Sequence, residues 1–395
     1  MMSENEKLVP KRRFKEFQNT NSWEQRKLGE MADFSKGNCY SKSDLTDEGE
    51  PVILYGRLYT KYETVISTVD TFTAKKENSV ISKGNEVIIP ASGETAEDIS
   101  RAAVVAEQGI IIGGDLNIVR PYEEIDSIFL ALTISNGKQQ KELSRRAQGK
   151  SIVHLHNSDL KEVDLIFPRI DEQIRIGFFF KQLDNTIALH QRRLEKTKAL
   201  KSAYLSEMFP AAGEHKPKRR FQGFADDWEQ RRVKDIAPLQ RGFDLPKDKM
   251  TAGSYPVVMS NGINGYHSEY KVKGPGVVTG RSGTIGNVHY IDCNYWPHNT
   301  ALWVTDFKGN HPHFIYYLYQ KLNLNRFGTG SGVPTLNRND IHSEVISVPS
   351  YEEQKIIAEI FCNFDQLITL HQRNLEKLQN VKKAYLNEMF IGGEQ

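Results

Sequence analysis

The chain has 395 residues, 38% of them hydrophobic and 26% charged, with 52 Lys and Arg against 50 Asp and Glu. It carries too many core formers for a disordered protein and too many charges for a membrane one, and its length predicts two or three domains. A net charge of +2 argues against a histone-like mass binder, so affinity for nucleic acid would have to reside in local patches. Cys39, Cys293 and Cys362 are odd in number and far apart, with no Cys-x-x-Cys pair. Neither a disulfide framework nor a zinc finger is supported, and a reducing cytoplasmic compartment is expected. No apolar run approaches the ~18 residues of a membrane span. Residues 1–13, with Glu4, Glu6, Lys7 and Lys11, lack the apolar stretch of a signal peptide. No membrane partner is expected.

In chain order, an N-terminal arm (residues 1–20) carries Pro10-Lys11-Arg12-Arg13-Phe14, which returns 207 residues later as Pro217-Lys218-Arg219-Arg220-Phe221. Residues 21–170 open with Trp23-Glu24-Gln25-Arg26, repeated 205 residues later from Trp228 to Arg231. Short β-rich runs follow at 86–89, 103–105 and 109–112, broken by Gly, Asn and Ser turns, then a short helix at 127–135. This predicts a mixed α/β globule with a β core. Residues 171–212 are dense in Leu, Lys, Gln, Glu and Ala, and 172–209 read as one long helix. A second globule with its own arm (residues 213–350) has runs at 276–278 and 301–304 and a helix at 314–322. Residues 351–395 close with a second long helix over 353–390.

The two helical segments match over Leu189-His190-Gln191-Arg192, Leu194-Glu195-Lys196 and Glu207-Met208-Phe209, each repeated 181 residues on. A 4-3 spacing picks out Ile176, Phe180, Leu183, Ile187, His190, Leu194, Thr197, Lys201, Tyr204 and Met208 in the first. It picks out Ile357, Phe361, Phe364, Ile368, His371, Leu375, Leu378, Lys382, Tyr385 and Met389 in the second. An amphipathic helix packed on its own globule would give such a stripe. Length without a break, and an equivalent helix in the same chain, favour mutual pairing as a coiled coil. His190 and His371 can act as metal ligands, but a lone polar seam residue more often fixes register. The fold class expected is α+β: two mixed α/β modules with β cores, separated by two long helices that pair as a coiled coil.

Catalytic motifs are missing. Gly149-Lys150-Ser151 has the tail of a phosphate-binding loop, but Ser144 stands where the first glycine belongs. Gly280, Gly283 and Gly286 are not spaced as a dinucleotide fingerprint. No loop of the type amino-methylating enzymes use is present. The pairs His154/His156 and His311/His313 lack the carboxylate and nucleophile that catalysis requires and read as surface or loop histidines. Polar loop chemistry does suit nucleic acid. In the second module Arg281, Ser282 and Thr284 sit on a glycine-rich turn, with Asn299 and Thr300 beyond; Arg suits guanine and Asn adenine. The first module offers Arg57, Tyr59, Ser92, Glu94, Thr95 and Lys150. Basic stretches at 11–15 and 216–234 are equally a phosphate-contacting patch or a solvated linker.

These residues resemble the specificity subunits of Type I restriction-modification systems. The resemblance spans nearly the whole chain and rests on the Lys-Arg-Arg-Phe and Trp-Glu-Gln-Arg arms, on Thr279 to Asn287, on Pro90 to Thr95, and on Pro168 to Gln173 and Pro349 to Gln354. It implies two target-recognition domains separated by two long helices pairing antiparallel with pseudo-twofold symmetry, each domain reading one half of a bipartite site in double-stranded DNA, and no catalytic site. It also implies two methylation subunits and two restriction subunits as partners, with S-adenosylmethionine, ATP and Mg carried by them and no cofactor in this chain. Helices of about 38 residues at ~1.5 Å each would be about 57 Å long, enough to act as a ruler between half-sites. A stand-alone tandem-module DNA-binding regulator or scaffold is the alternative.

Overall fold

A computed structural model describes residues 8–38, 40–96, 98–147, 153–330 and 332–392. They fall into two compact units, one within Met1–His190 and Asn374–Gln395, the other within Gln191–Arg373. In the first unit an open sheet runs Ala32–Lys36, Leu116–Pro121, Glu86–Pro90, Ala103–Val105, Val65–Ile66. All neighbours are antiparallel except the last pair. Glu86–Pro90, at its centre, is buried along its whole length, as a strand covered on both faces must be. A second sheet runs Leu45–Thr46, Phe72–Thr73, Glu50–Ile53, Gln108–Ile112, Ile81–Lys83. A ladder of Glu24–Lys27 with Asp164–Phe167 fastens the start of the globule to its end.

The second unit repeats this plan in fewer residues. Its main sheet runs Leu239–Arg241, Ala301–Val304, Gly276–Gly280, Val288–Ile291, antiparallel throughout, and lacks only the fifth edge strand. The smaller sheet keeps one antiparallel and one parallel partner around Tyr255–Met259, as the first unit does around Glu50–Ile53. Glu229–Arg232 pairs with Val345–Val348 as the matching fastener.

The long helices are Ile170–Glu207 and Tyr351–Met389. In the first unit Lys382 Nζ lies 2.5 Å from Asp184 Oδ1, and the rings of Phe179 and Tyr385 meet edge to face at 5.0 Å. In the second unit Lys201 Nζ lies 2.6 Å from Asp365 Oδ1, and Tyr204 packs on Phe364 at 5.6 Å. Partner numbers rise on one helix as they fall on the other, so the helices pair antiparallel. Asp184 and Asp365, like Lys201 and Lys382, are 181 residues apart: one ion pair is made twice with the helices exchanging roles. The 4-3 stripe is the seam. Ile176, Phe180, Leu194, Ile357 and Phe361 are buried, and Leu183, Ile187, Phe364, Ile368 and Leu375 are half-buried. His190 and His371 are half-buried on the seam, and no cluster able to hold a metal occurs among the described residues.

Each globule is clamped to its helix by the repeated motifs. Gln173 Nε2 donates to the carbonyls of Pro168 and Glu124, while its Oε1 accepts from the Asp126 amide, the N-cap of helix Ser127–Ile134. Gln354 Nε2 donates to the Pro349 carbonyl and to Asn310 Oδ1, and its Oε1 accepts from His311, the N-cap of helix Pro312–Lys321. Arg13 holds Glu172 through both carboxylate oxygens, and Arg220 holds Glu353 at 2.7 and 2.8 Å. Arg12 pairs with Glu388 and lies 5.0 Å over Tyr385; Arg219 pairs with Glu207 at 2.7 Å and lies 5.0 Å over Tyr204. The repeated Phe at each helix end completes a core. Phe390 joins Trp23, Phe129 and Phe180, and Phe209 joins Trp228, Phe314 and Phe361. Gly177 lets the first module approach closely, since a Cβ there would stand 3.0 Å from Asp126 Oδ1.

Candidate nucleic-acid interface

In the second unit the structure gathers the residues that the sequence singled out. The strand Gly276–Gly280 ends in a turn so tight that it requires glycine, since a Cβ at Gly280 would fall 1.8 Å from the Thr284 carbonyl oxygen. The amides of Arg281 and Ser282 both donate to the Thr300 carbonyl, at 2.8 and 3.1 Å, which joins the two candidate loops. Thr300 Oγ1 lies 3.0 Å from His298 Nδ1, and burial pushes the His298 imidazole below its ordinary pKa. Asn299 Nδ2 donates to Asp244 Oδ1, which also receives Arg241 Nη2 at 3.3 Å. Thr284 is exposed; Arg281, Ser282, Asn299 and Thr300 are half-exposed. The result is a rigid polar edge with guanidinium, hydroxyl, amide and carboxylate groups side by side, a donor and acceptor set able to meet phosphates or base edges. Arg241 and Asp244 were not singled out from sequence; they lie some 40 residues before Arg281 and only the fold joins them.

In the first unit the candidates divide. Tyr59 Oη donates to the Ser92 carbonyl at 2.9 Å, and burial pushes the phenol pKa up. Glu94 and Thr95 are exposed beside them, Thr95 Oγ1 donating to Asp98 at 2.7 Å. Arg57 is paired within the fold. Its side chain is only 8% exposed and pairs with Glu63 at 2.7 Å and Asp70 at 2.8 Å, and Lys61 together with Arg57 holds the Asp70 carboxyl down to about 2. The two carboxylates hold the Arg57 guanidinium in place beside exposed acidic groups. Lys150, Gly149, Ser151 and Cys39 lie outside the described residues. The basic stretches are likewise committed in part. Arg12, Arg13, Arg219 and Arg220 clamp helix carboxylates, and Lys216 pairs with Asp227 at 2.9 Å.

One frame underlies both edges. In the first unit Val153–His154 pairs with Ser92–Gly93, and the Leu155 amide donates to the Ala91 carbonyl at 3.0 Å. In the second a single antiparallel bridge joins Ser282 to Thr335, and the Leu336 amide donates to the Arg281 carbonyl at 2.8 Å. His154 and Thr335, missed as binding candidates, are therefore equivalent positions. The signal was present, because the 181-residue repeat extends back through Leu155/Leu336 and Asp159/Asp340.

Comparison with known proteins agrees with this architecture. The chain matches the family model of the Type I restriction modification DNA specificity domain twice, over residues 20–199 and 225–380. It is 20% identical over 405 residues to the Type I restriction enzyme MjaVIII specificity subunit of Methanocaldococcus jannaschii, covering 94% of this chain and 92% of that one. It is 31% identical over 114 residues to the Type I restriction enzyme EcoprrI specificity subunit of Escherichia coli, covering 29% and 28% of the two chains. Among solved structures, the S subunit of a Type I restriction-modification system from M. genitalium superposes with a TM-score of 0.68 at 17% identity, covering 97% of this chain and 99% of that one. A chain from a structure concerned with complex assembly and conformational transition of the type I R-M system gives 0.51 at 14% identity, covering 94% and 98%. With two copies of the domain in one chain, and the fold of a solved S subunit, the protein belongs to the specificity-subunit family of Type I restriction-modification systems.

Proposed function

We propose that this chain is the non-catalytic DNA-specificity subunit of a Type I restriction-modification complex, reading an asymmetric bipartite target with one module per half-site. The observation that carries this reading is the duplicated frame: the same Arg–Glu and Gln clamps hold two globules whose polar loop edges differ in composition. Equivalent helix surfaces, shown by the ion pair made twice, suit two copies of one partner. Two methylation subunits and two restriction subunits are those partners, and they carry S-adenosylmethionine, ATP and Mg; the complex works in the cytoplasm on double-stranded DNA. No helix among the described residues is long and apolar enough to cross a membrane, which accords with that setting. The helices act as a ruler, so one added heptad in each lengthens the unspecified spacer and leaves the half-sites unchanged. The test is a genome-wide map of adenine methylation in the cell of origin, with the gene intact and deleted. One asymmetric two-part motif disappears on deletion, and exchange of the first module alters only one half. If no motif disappears, or the lost motif is palindromic, the reading fails and a stand-alone regulator takes its place.

A further inference from the structure

Resting on the DNA-reading role proposed above, we propose that His154 and Thr335 are equivalent specificity-determining residues, each pairing with a serine, Ser92 or Ser282, to read a base edge in its own half-site. Residues directly opposite in an antiparallel pair carry their side chains on one face, with Cβ atoms about 4.5–5.5 Å apart. His154 is opposite Ser92, and Thr335 is opposite Ser282. Burial decides which face this is. Val153, Leu155, Ala91 and Gly93 are buried while His154 is exposed and Ser92 half-exposed; Leu336 is buried while Thr335 and Ser282 are half-exposed. Period-two alternation thus turns both pairs outward.

The backbone under the pairs is held from both sides. The Leu155 and Leu336 amides fix one side, and on the other Tyr59 Oη holds the Ser92 carbonyl while the Arg281 and Ser282 amides bind the Thr300 carbonyl. Groups placed this rigidly lose little freedom when they meet a base edge. The frame and its serine are common to both modules, and the residue facing the serine differs. A histidine ring offers one donor and one acceptor nitrogen, whereas threonine offers a hydroxyl and a methyl group suited to contact with the thymine methyl. This exchange is one difference between the two edges that can make the half-sites unlike, beside the differing loop residues around it.

The test uses the full chain in its own cell, with His154→Thr and Thr335→His introduced separately and genomic adenine methylation mapped. Each variant alters the preferred base in one half only, with at least a roughly ten-fold fall in methylation of the original motif. Parent-level methylation of the unchanged motif by both variants overturns the assignment. A variant that fails to accumulate as folded chain, judged by thermal unfolding, is replaced by His154→Gln or Thr335→Ser, to which the same two outcomes apply. Survival of the parent motif after gene deletion would instead remove the DNA-reading role itself, so the two failures are distinguishable.

Discussion

Glu172 and Arg13 show what a repeated motif does at the scale of single side chains. Both are buried, at 2% and 5% exposure, and each is the other's charge partner. Removing one partner leaves an uncompensated buried charge, which costs about 3–5 kcal/mol, while replacing both with apolar side chains of similar volume is often close to neutral. Glu172→Ala is therefore expected to lower the stability of the first unit by that amount. The combined Arg13→Met and Glu172→Met variant should lose much less, as read by denaturant unfolding. A double variant less stable than either single one would contradict this account. The same residues show the limits of sequence reading. The repeated Arg-Arg and Glu-Gln motifs stood out, but partners 159 residues apart cannot be joined by inspection, so the arms read as a possible phosphate patch. The ion pairs of Arg57 were hidden for the converse reason: its carboxylates are only 6 and 13 residues away, and nothing local shows the chain folding back onto it.

At the scale of elements, the long helices were the most legible part of the molecule. A 4-3 stripe over some ten turns, made twice in one chain, favoured pairing over packing on a single globule, and the buried and half-buried positions follow it. The duplication favoured mutual pairing, but antiparallel direction came only from the family resemblance. The small strands were not: Val153–His154 and Thr335–Leu336 are two residues long and too short to show a period, which is why the proposed reading positions were overlooked. The reciprocal ion pairs allow a direct test of helix direction. Asp184→Lys sets two ammonium groups against each other and should destabilise the first unit by about 1 kcal/mol, as partly exposed pairs do. Adding Lys382→Asp should restore most of the loss in thermal unfolding. Failure of the second change to rescue the first would show that these groups do not face each other.

At the scale of the whole molecule, the two units differ in their response to acid. His289, His298, His311, His313 and His342 are all pushed below the ordinary value of 6.5, chiefly by burial, and all five lie in the second unit. His342 Nε2 also accepts the Leu239 amide at 2.8 Å, which requires a neutral ring. The unfolded chain takes up these protons first, so the stabilisation is full above about pH 6.5 and is lost as pH falls through the lowered folded values. Hydrogen exchange at pH 7.5 and 5.5, corrected for intrinsic rates, should show protection falling mainly in residues 191–373. Equal loss in both units would refute it. The helix tails bear on how the molecule is made. Phe390 fills the core around Trp23, Phe129 and Phe180, and the Arg12 amide donates to the Glu388 carbonyl. On the ribosome, the globule that emerges first must wait with an open aromatic core until residues 385–391 are synthesised. The second globule draws its residues from 191–373, so the part of the chain made first is the one whose core is closed by the part made last.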